Sequence, residues 1–316
     1  MPRASVVVPV RDRRTLVAEL LDALEAQTFT DVEVIVVDDG STDGSAEVAE
    51  ARGVHVIRGD GRGAVAARQL GVKAATGDVL AFTDSDCVPE PGWLEAGVRS
   101  IDDGADVVQG HTRSARRRGL LERSLWVEDD GLYETCNVFY RRAAFDAVGG
   151  FDDDAADRLG FRPDERARGL GFGEDTLLGW RVRRQGRAVY APDAVVAHAV
   201  FPPDVRDQLS RTVQAAAFPA LVREVPELRG AFLRHGVLLG GLRVPLYLAL
   251  LLAVIARPRL AVGALAWWAV SHWRHARQLE PSRRRCLKAL PVLLATDALT
   301  GAALVVGSVR ARSVVL

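Results

Sequence analysis

Three short apolar runs, each ending in a cluster of acids, constrain the first third of this chain more than anything else in it. Ser5–Val10 reads as a strand and leads into Arg11-Asp12. Val32–Val37 leads into Asp38-Asp39-Gly40-Ser41, and Val79–Thr83 into Asp84-Ser85-Asp86. The second run is apolar almost throughout, the pattern of a strand covered on both faces. Between the runs, Leu16, Leu20, Leu21 and Leu24 recur at helical spacing. A short helix is expected over Ser45–Ala51, a strand over Val54–Ile57 and a helix over Ala64–Ala75. This β-α-β-α rhythm predicts a Rossmann-like α/β fold, a mostly parallel sheet with helices on both faces. Ligands of such sheets bind beyond the carboxyl ends of the strands, and that is where the acids lie.

After residue 100 the pattern is less regular. A strand is expected over Asp106–Thr112 and a short helix over Arg142–Val148, ended by Gly149-Gly150. A helix over Glu174–Gln185 and strands over Ala188–Tyr190 and Val195–Ala199 follow. There is no repeat or low-complexity tract.

Composition excludes several classes. The 316 residues carry 41 basic and 41 acidic side chains, so no polyelectrolyte partner is implied and no nucleic acid is expected. Lys73 and Lys288 are the only lysines, a skew in composition rather than a binding footprint. Cys87, Cys136 and Cys286 are odd in number and far apart, which gives neither a disulfide framework nor a zinc spacing. The opening MPRASVVVPV contains no apolar segment long enough for a secretory signal.

The C-terminal part differs. From about His235 acids almost vanish, leaving Glu280 and Asp297. Gly236–Ala256 carries one charge, Arg243, and as a helix would reach roughly 30 Å, the thickness of a bilayer core. Leu260–Trp273 and Leu287–Val309 are further candidates, giving two or three spans. The basic stretch RHARQLEPSRRR between them should stay cytoplasmic. This predicts a cell-membrane location with the α/β domain on the cytoplasmic side. The expected organisation is an α/β domain over 1–203 (a first half over about 1–112 and a second over about 113–203), a juxtamembrane helical linker over 204–235 and a membrane-associated helical region over 236–316. A helical bundle packed on the catalytic domain, or helices lying on the membrane face, would give the same composition.

Three motifs carry chemistry. In TDSDC, two carboxylates one residue apart past a buried strand can hold a hard cation such as Mg²⁺ or Mn²⁺, and a diphosphate on that cation becomes a better leaving group. A polar turn capping the next helix would look the same. In VVDDGSTDGS, an acid can accept a hydrogen bond from a nucleobase N–H or a ribose hydroxyl, while Ser41 or Asp43 could simply cap the following helix. In GFGEDTLLGWRVRRQG, paired acids open a helix, where the macrodipole favours them; in a cleft, one could serve as general base.

These pieces, in this order, resemble a family 2 glycosyltransferase of the GT-A fold. The matching segments are SVVVPVRDR, VVDDGSTDGS, GAVAARQLGVKAATGDVLAFTDSD, CNVFYRRAAFDAVGGFDD and GFGEDTLLGWRVRRQG, which together cover roughly residues 4–200. The resemblance implies an inverting enzyme with a nucleotide-diphosphate sugar as donor and a glycan or lipid-linked acceptor at the membrane. It places Pro9, Val10, Arg11 and Asp12 beside the nucleobase, Asp38 and Asp39 on base and ribose, and Gly63, Ala67 and Arg68 on the donor side. Asp84, Ser85 and Asp86 form the D-x-D, with Asp86 the direct metal ligand. Gly149, Gly150, Phe151 and Trp180 shape the acceptor side. Asp175 is the base, supported by Glu174. His198, which ends an apolar strand, is either a packed residue or a further metal or phosphate contact.

There are departures. Gln69 stands where relatives usually have Asn. The stretch 153–171 is longer than in many relatives and reads as an acceptor loop or a solvated insertion. Gln208-Leu209-Ser210-Arg211 resembles the Q-x-x-R-W of chain-elongating synthases but is followed by Thr212, which favours transfer of one sugar and leaves Arg211 as a donor-side candidate. Two other readings compete. A dehydrogenase or P-loop enzyme lacks its glycine motif here, as does a sugar-nucleotide pyrophosphorylase. A catalytically inactive membrane-bound interaction protein would not need Asp84, Asp86 and Asp175 together.

Overall fold

The acid-tipped runs become the central strands of one eight-stranded sheet. A computed structural model describes residues 1–161 and 172–316. Its strands are β1 (Ala4–Val10), β2 (Val32–Asp38), β3 (His55–Arg58), β4 (Val79–Thr83), β5 (Cys87–Pro89), β6 (Val107–Ser114), β7 (Asn137–Arg141) and β8 (Ala188–His198). They lie in the order β3-β2-β1-β4-β7-β6-β8-β5. The first four are mutually parallel, with Ala4 opposite Val32 and Val79. β6 and β8 are also parallel, whereas β7 and β5 run antiparallel to their neighbours.

Two expectations need correcting. The segment Asn137–Arg141 was not foreseen as a strand, because it turns directly into a helix at Arg142 without a loop signal between them. The two strands expected near 188 and 195 are one. β6 residues 107–110 pair with 188–191 and residues 111–114 with 195–198, so Pro192, Asp193 and Ala194 form an irregularity within β8 rather than a break.

The chain divides into two compact units. The first comprises Met1–Arg116, Ser124–Arg158 and Pro163–Ala199; the second comprises Arg117–Arg123, Leu159–Arg162 and Val200–Leu316. Helices of the first are α1 (Arg14–Glu25), α2 (Ser45–Ala51), α3 (Ala64–Ala74), α4 (Trp93–Asp102), α5 (Arg142–Ala147), α6 (Ala155–Arg158) and α7 (Glu174–Arg183). Alternation along β1 decides which helix covers which face. Val6, Val8 and Val10 pack with Val17, Leu20, Leu21 and Leu24 of α1 and with Trp93 and Leu94 of α4. Each such side chain contributes about 1.5–3 kcal/mol on burial. Val7 points to the other face, where Gly71 lets α3 approach so closely that an added Cβ would strike the valine. Phe82 of β4 shares that second face with Tyr140, Phe145 and Phe151.

The second unit is helical, with α8 (Val205–Gln214), α9 (Phe218–Glu224), α10 (Leu228–Ala231), α11 (Val244–Val254), α12 (Pro258–Leu279) and α13 (Arg283–Ala311). The three apolar candidates come out unequally. Gly236–Ala256 is not one helix: turns occupy its start, and α11 has only 11 residues. Leu260–Trp273 lies inside α12, whose last turns carry Arg274 and Arg277. Among the described residues one helix, α13, is long and apolar enough to cross a membrane. The basic stretch is mostly helix too, since only residues 280–282 separate α12 from α13. Asp297 of α13 is buried, where it accepts hydrogen bonds from Trp268 Nε1 at 2.8 Å and Arg243 Nε at 3.2 Å and lies 3.1 Å from His272 Nε2.

Candidate active site

The first unit carries a cavity of 230 Å³ past the carboxyl ends of β1, β2 and β4. Pro9, Val10, Arg11, Asp39, Gly63, Arg68, Asp84, Ser85 and Asp86 line it, joined by Arg13 and Ala64. The sheet order explains the gathering: β2, β1 and β4 are neighbours, so the residues that follow them meet at one edge.

The two acids after β2 do different work. Asp39 is buried at the cavity, takes the Gly63 N–H on Oδ2 at 2.8 Å and has Arg11 Nη1 at 3.8 Å. Gly63 can make this contact because its φ of +101° suits glycine. Asp38 instead accepts the Ser41 N–H at 3.3 Å and organises the turn. Asp12 is likewise turned toward the loop, where it accepts the Thr42 N–H at 2.8 Å. The loop also caps α1 from outside: Ser41, Ser45 and Asp43 accept the amides of Asp12, Arg13 and Arg14. The expected cap on α2 is only partial, since Asp43 accepts the Ser45 amide at 3.0 Å while Gly44 holds the cap position.

β5 pairs with β8 so that Cys87 faces His198, and the Ala199 amide donates to the Asp86 carbonyl at 2.8 Å. This brings His198 Nε2 to 3.6 Å from Asp86 Oδ1. His198 Nδ1 lies 2.7 Å from the Ala199 carbonyl, a contact that requires the proton on Nδ1. In the neutral ring, Nε2 then turns a lone pair toward a carboxylate oxygen, an arrangement that a cation between them would satisfy. Asp86, Cys87 and His198 offer three ligand atoms within 4.8 Å of one another. An oxygen and an imidazole nitrogen suit Mn²⁺ or Mg²⁺. Burial pushes the Cys87 thiol well up and keeps it protonated, so the oxygen and nitrogen remain the fitting donors.

Asp84 points elsewhere. Its Oδ1 accepts Arg68 Nη2 at 2.7 Å, and Arg68 Nη1 is 3.8 Å from Glu174 Oε1. Arg68 is buried and thus links the D-x-D to the acid pair that opens α7. Burial raises the Glu174 carboxyl, tempered by Arg68, and among the described residues its Oε2 has no hydrogen-bond partner. Asp175 is half-buried with protein packed around it. Burial and the neighbouring Glu174 charge push its carboxyl up to about 7, although Thr176 N–H and Arg68 pull the other way. The Thr176 amide reaches Asp175 Oδ1 at 2.7 Å.

The remaining predicted residues are packed. Gly149 and Gly150 take φ of +82° and +67° and turn the chain after α5. Phe151 is buried against Phe82 and Phe145, and its carbonyl accepts Gln69 Nε2 at 3.2 Å, which gives Gln69 a role. Trp180 is buried, donates to the Gly131 carbonyl at 2.8 Å and receives Arg183 over its ring. Arg211 belongs to the second unit, where it pairs with Asp207 at 2.9 Å. The proposed acceptor loop falls largely on residues 162–171, outside the described residues.

Sequence reasoning missed Arg13, Cys87 and Glu134. Glu134 is pushed well above the usual carboxylate range by burial and by the charges of Asp130 and Asp175, and among the described residues its buried Oε2 has no partner. Thr176 Oγ1 and Trp180 Nε1 donate to the carbonyls of Leu132 and Gly131, which clamps the Glu134 segment on α7. No motif marked it, because the contacts join residues 44 and 49 apart in the chain.

Residues 5–151 match the family described as Glycosyl transferase family 2. Glycosyltransferase AglE of Haloferax volcanii is 30% identical over 171 residues, 48% of this chain and 56% of that protein. The pre-mycofactocin glycosyltransferase of Mycobacterium tuberculosis is 30% identical over 238 residues, 68% of this chain and 45% of that protein. The chain thus spans about half the length of these curated relatives. Two solved structures share its fold. The mannosyltransferase PcManGT of Pyrobaculum calidifontis, in complex with GDP-Man and Mn²⁺, has a TM-score of 0.56 at 19% identity, covering 98% of this chain and 87% of that one. TarS 1-349 of S. aureus with UDP-GlcNAc has a TM-score of 0.54 at 18% identity, covering 98% and 92%. This chain carries a family 2 glycosyltransferase domain on a GT-A fold.

Proposed function

We propose that this glycosyltransferase moves one sugar from a nucleotide-diphosphate sugar to a hydroxyl acceptor, with inversion, in a single displacement. The acceptor oxygen forms the new bond at the anomeric carbon as the bond to the diphosphate breaks, and the hydroxyl proton passes to Asp175. Asp39 and Arg11 receive the nucleoside. Asp86 and His198 hold Mg²⁺ or Mn²⁺, with Asp84 nearby on Arg68. When bound, the cation neutralises the diphosphate and makes it a better leaving group. Arg68 joins Asp84 and Glu174 on one guanidinium, and the charge of Glu174 helps raise the Asp175 carboxyl. Gly149, Gly150, Phe151 and Trp180 shape the acceptor wall by packing.

The observation that carries this reading is geometric: the residues after β1, β2 and β4 meet in one cavity, and Arg68 on its wall reaches Asp84 at 2.7 Å and Glu174 at 3.8 Å. Asp175 stands beside Glu174, and burial with that neighbour's charge pushes its carboxyl up to about 7, where a general base is most effective. The other acids of the site have partners that suit them to different work: Asp84 faces Arg68, and Asp86 faces His198. Relatives solved with GDP-Man or UDP-GlcNAc support a nucleotide-sugar donor. The apolar α13 supports a membrane location and hence a lipid-linked or cell-envelope glycan as acceptor. The basic residues 274–285 favour a cytoplasmic catalytic domain. Release of nucleoside diphosphate from UDP- and GDP-sugars, measured with and without Mn²⁺ on the full chain, tests the proposal. Metal-dependent release from one donor class is expected. No release from any donor and acceptor panel would overturn it.

A further inference from the structure

Within the second unit, α12 has two unlike sides. It buries one stripe, Ala264, Trp268, His272 and Ala276, at four-residue steps, the spacing of a single helix face. That stripe packs inward, where Trp268 and His272 meet Asp297 of α13. A helix facing water would be polar on its other side. The first half of α12 carries Leu260, Val262, Leu265, Trp267 and Val270 there instead, all exposed. α11 adds Leu250, Leu251 and Val254, the last 83% exposed. Where the two helices join, every residue from 253 to 260 is exposed. The turn is nevertheless well built: the Arg257 amide donates to the Leu252 carbonyl at 2.8 Å, past Ala256 at a φ of +56°. α11 and α12 therefore form a hairpin with an apolar outer surface.

Charge and length decide what covers that surface. Residues 244–279 hold Arg257, Arg259, Arg274 and Arg277 and no acid. Arg257 and Arg259, at the tip, have no side-chain hydrogen bond or ion pair among the described residues. The two acids that follow the hairpin are engaged elsewhere, Asp297 with Arg243 and Glu280 with Arg285. A surface both apolar and basic suits a bilayer with anionic headgroups. Upright insertion does not fit: α11 has 11 residues, about 16 Å, against roughly 30 Å for a bilayer core. Both arginines would then sit at mid-depth, where a guanidinium is costly. A second copy on the same face would press the arginine pairs of two chains together across a two-fold axis. A hairpin lying along the membrane avoids both penalties, with the apolar side in the acyl boundary, the arginines at the headgroups and Trp267 at the interface.

We propose that the α11–α12 hairpin lies flat in the headgroup boundary of a bilayer containing anionic lipid, with Arg257 and Arg259 against lipid phosphates. The proposal rests on the membrane location read from α13 and is independent of the transfer chemistry of the first unit.

The test uses the full chain in nanodiscs of phosphatidylcholine with or without phosphatidylglycerol, carrying a fluorophore on Val254→Cys or, separately, on Leu299→Cys of α13. The native cysteines are buried. With phosphatidylglycerol present, lipid brominated near the headgroup should quench the Val254 label at least about twofold more than lipid brominated near the chain end, as a depth of roughly 5–10 Å requires. Arg257→Gln combined with Arg259→Gln should lower the ratio of bound to free hairpin, read from that quenching, about 25-fold, at about fivefold for each arginine. Stronger quenching from the chain end, a Val254 label left unquenched while the Leu299 label is quenched, or an unchanged ratio in the double variant would overturn the proposal. Self-quenching that follows protein concentration and not lipid would overturn it too, in favour of a second copy. If neither label is quenched, the membrane location itself fails and the hairpin proposal fails with it.

Discussion

Two acid pairs lie at the site, Asp84 with Asp86 and Glu174 with Asp175, and they differ in what surrounds them. The first pair follows a strand and meets positive or ligating groups: Arg68 at 2.7 Å from Asp84 and His198 at 3.6 Å from Asp86. The second opens a helix and is short of cations. Glu174 has Arg68 at 3.8 Å, and Asp175 is raised to about 7 by burial and its neighbour's charge. The lesson is that similar residues divide the labour by environment. Asp84 and Asp86 each meet a group with which they can share a metal's surroundings, whereas burial and the Glu174 charge raise the Asp175 carboxyl so that it can exchange a proton in the neutral range.

The largest effect should come from breaking the second pair at Asp175. Asp175→Asn retains shape and the hydrogen bond from Thr176 but removes basicity. Turnover should fall by about 10²–10⁴, with donor affinity measured by calorimetry unchanged. If instead Asp175→Asn turns over normally and Glu174→Gln is dead, the base is Glu174.

The first pair should answer differently. Asp86→Ala should abolish the metal dependence of donor binding, and His198→Ala should weaken metal affinity by about 10- to 100-fold, read by Mn²⁺ titration. Equal donor affinity with and without Mn²⁺ in the unmodified protein would remove the metal from this account.

Glu174→Gln sharpens the contrast with a smaller effect. It deletes a charge that raises Asp175, so the acid limb of kcat/KM should move to lower pH while turnover at high pH falls less than in Asp175→Asn. An unmoved limb would mean that Glu174 does not tune Asp175.

The smallest effect concerns stability. Asp175 keeps its proton to about 7 in the folded chain against 3.8 as the ordinary value. The folded state therefore binds more protons between those values, and the stability this confers is present below about 4 and lost as pH rises through 7. Thermal melts of Asp175→Asn should show a shallower decline across that window than the unmodified protein. Parallel pH profiles would contradict the shift.

Much of the parallel half of the sheet was legible, because Val32–Val37 is apolar but for Glu33, Val79–Phe82 is wholly apolar, and both strands run straight into acids. β7 was not, since Arg141 passes straight from strand to helix. The acids of the cavity were legible by position after their strands, but adjacency in sequence could not separate Asp38, which holds a turn, from Asp39, which lines the cavity. His198 could be named and not placed: its meeting with Asp86 depends on the antiparallel register of β5 and β8. In the second unit, hydropathy alone read Gly236–Ala256 as one span, while Gly240 at a φ of +96° and Pro245 limit helix to the 11 residues of α11.

The most direct test of the division between the two pairs is the pH dependence of kcat/KM for sugar transfer, measured at saturating Mn²⁺ in the unmodified chain and in Asp175→Asn. The account predicts an acid limb with a midpoint of about 7 in the unmodified chain, rising with pH as Asp175 ionises, and a flat, low profile across that range in the variant. A limb that persists unchanged in Asp175→Asn would assign the titrating group elsewhere and contradict the role of Asp175 as base.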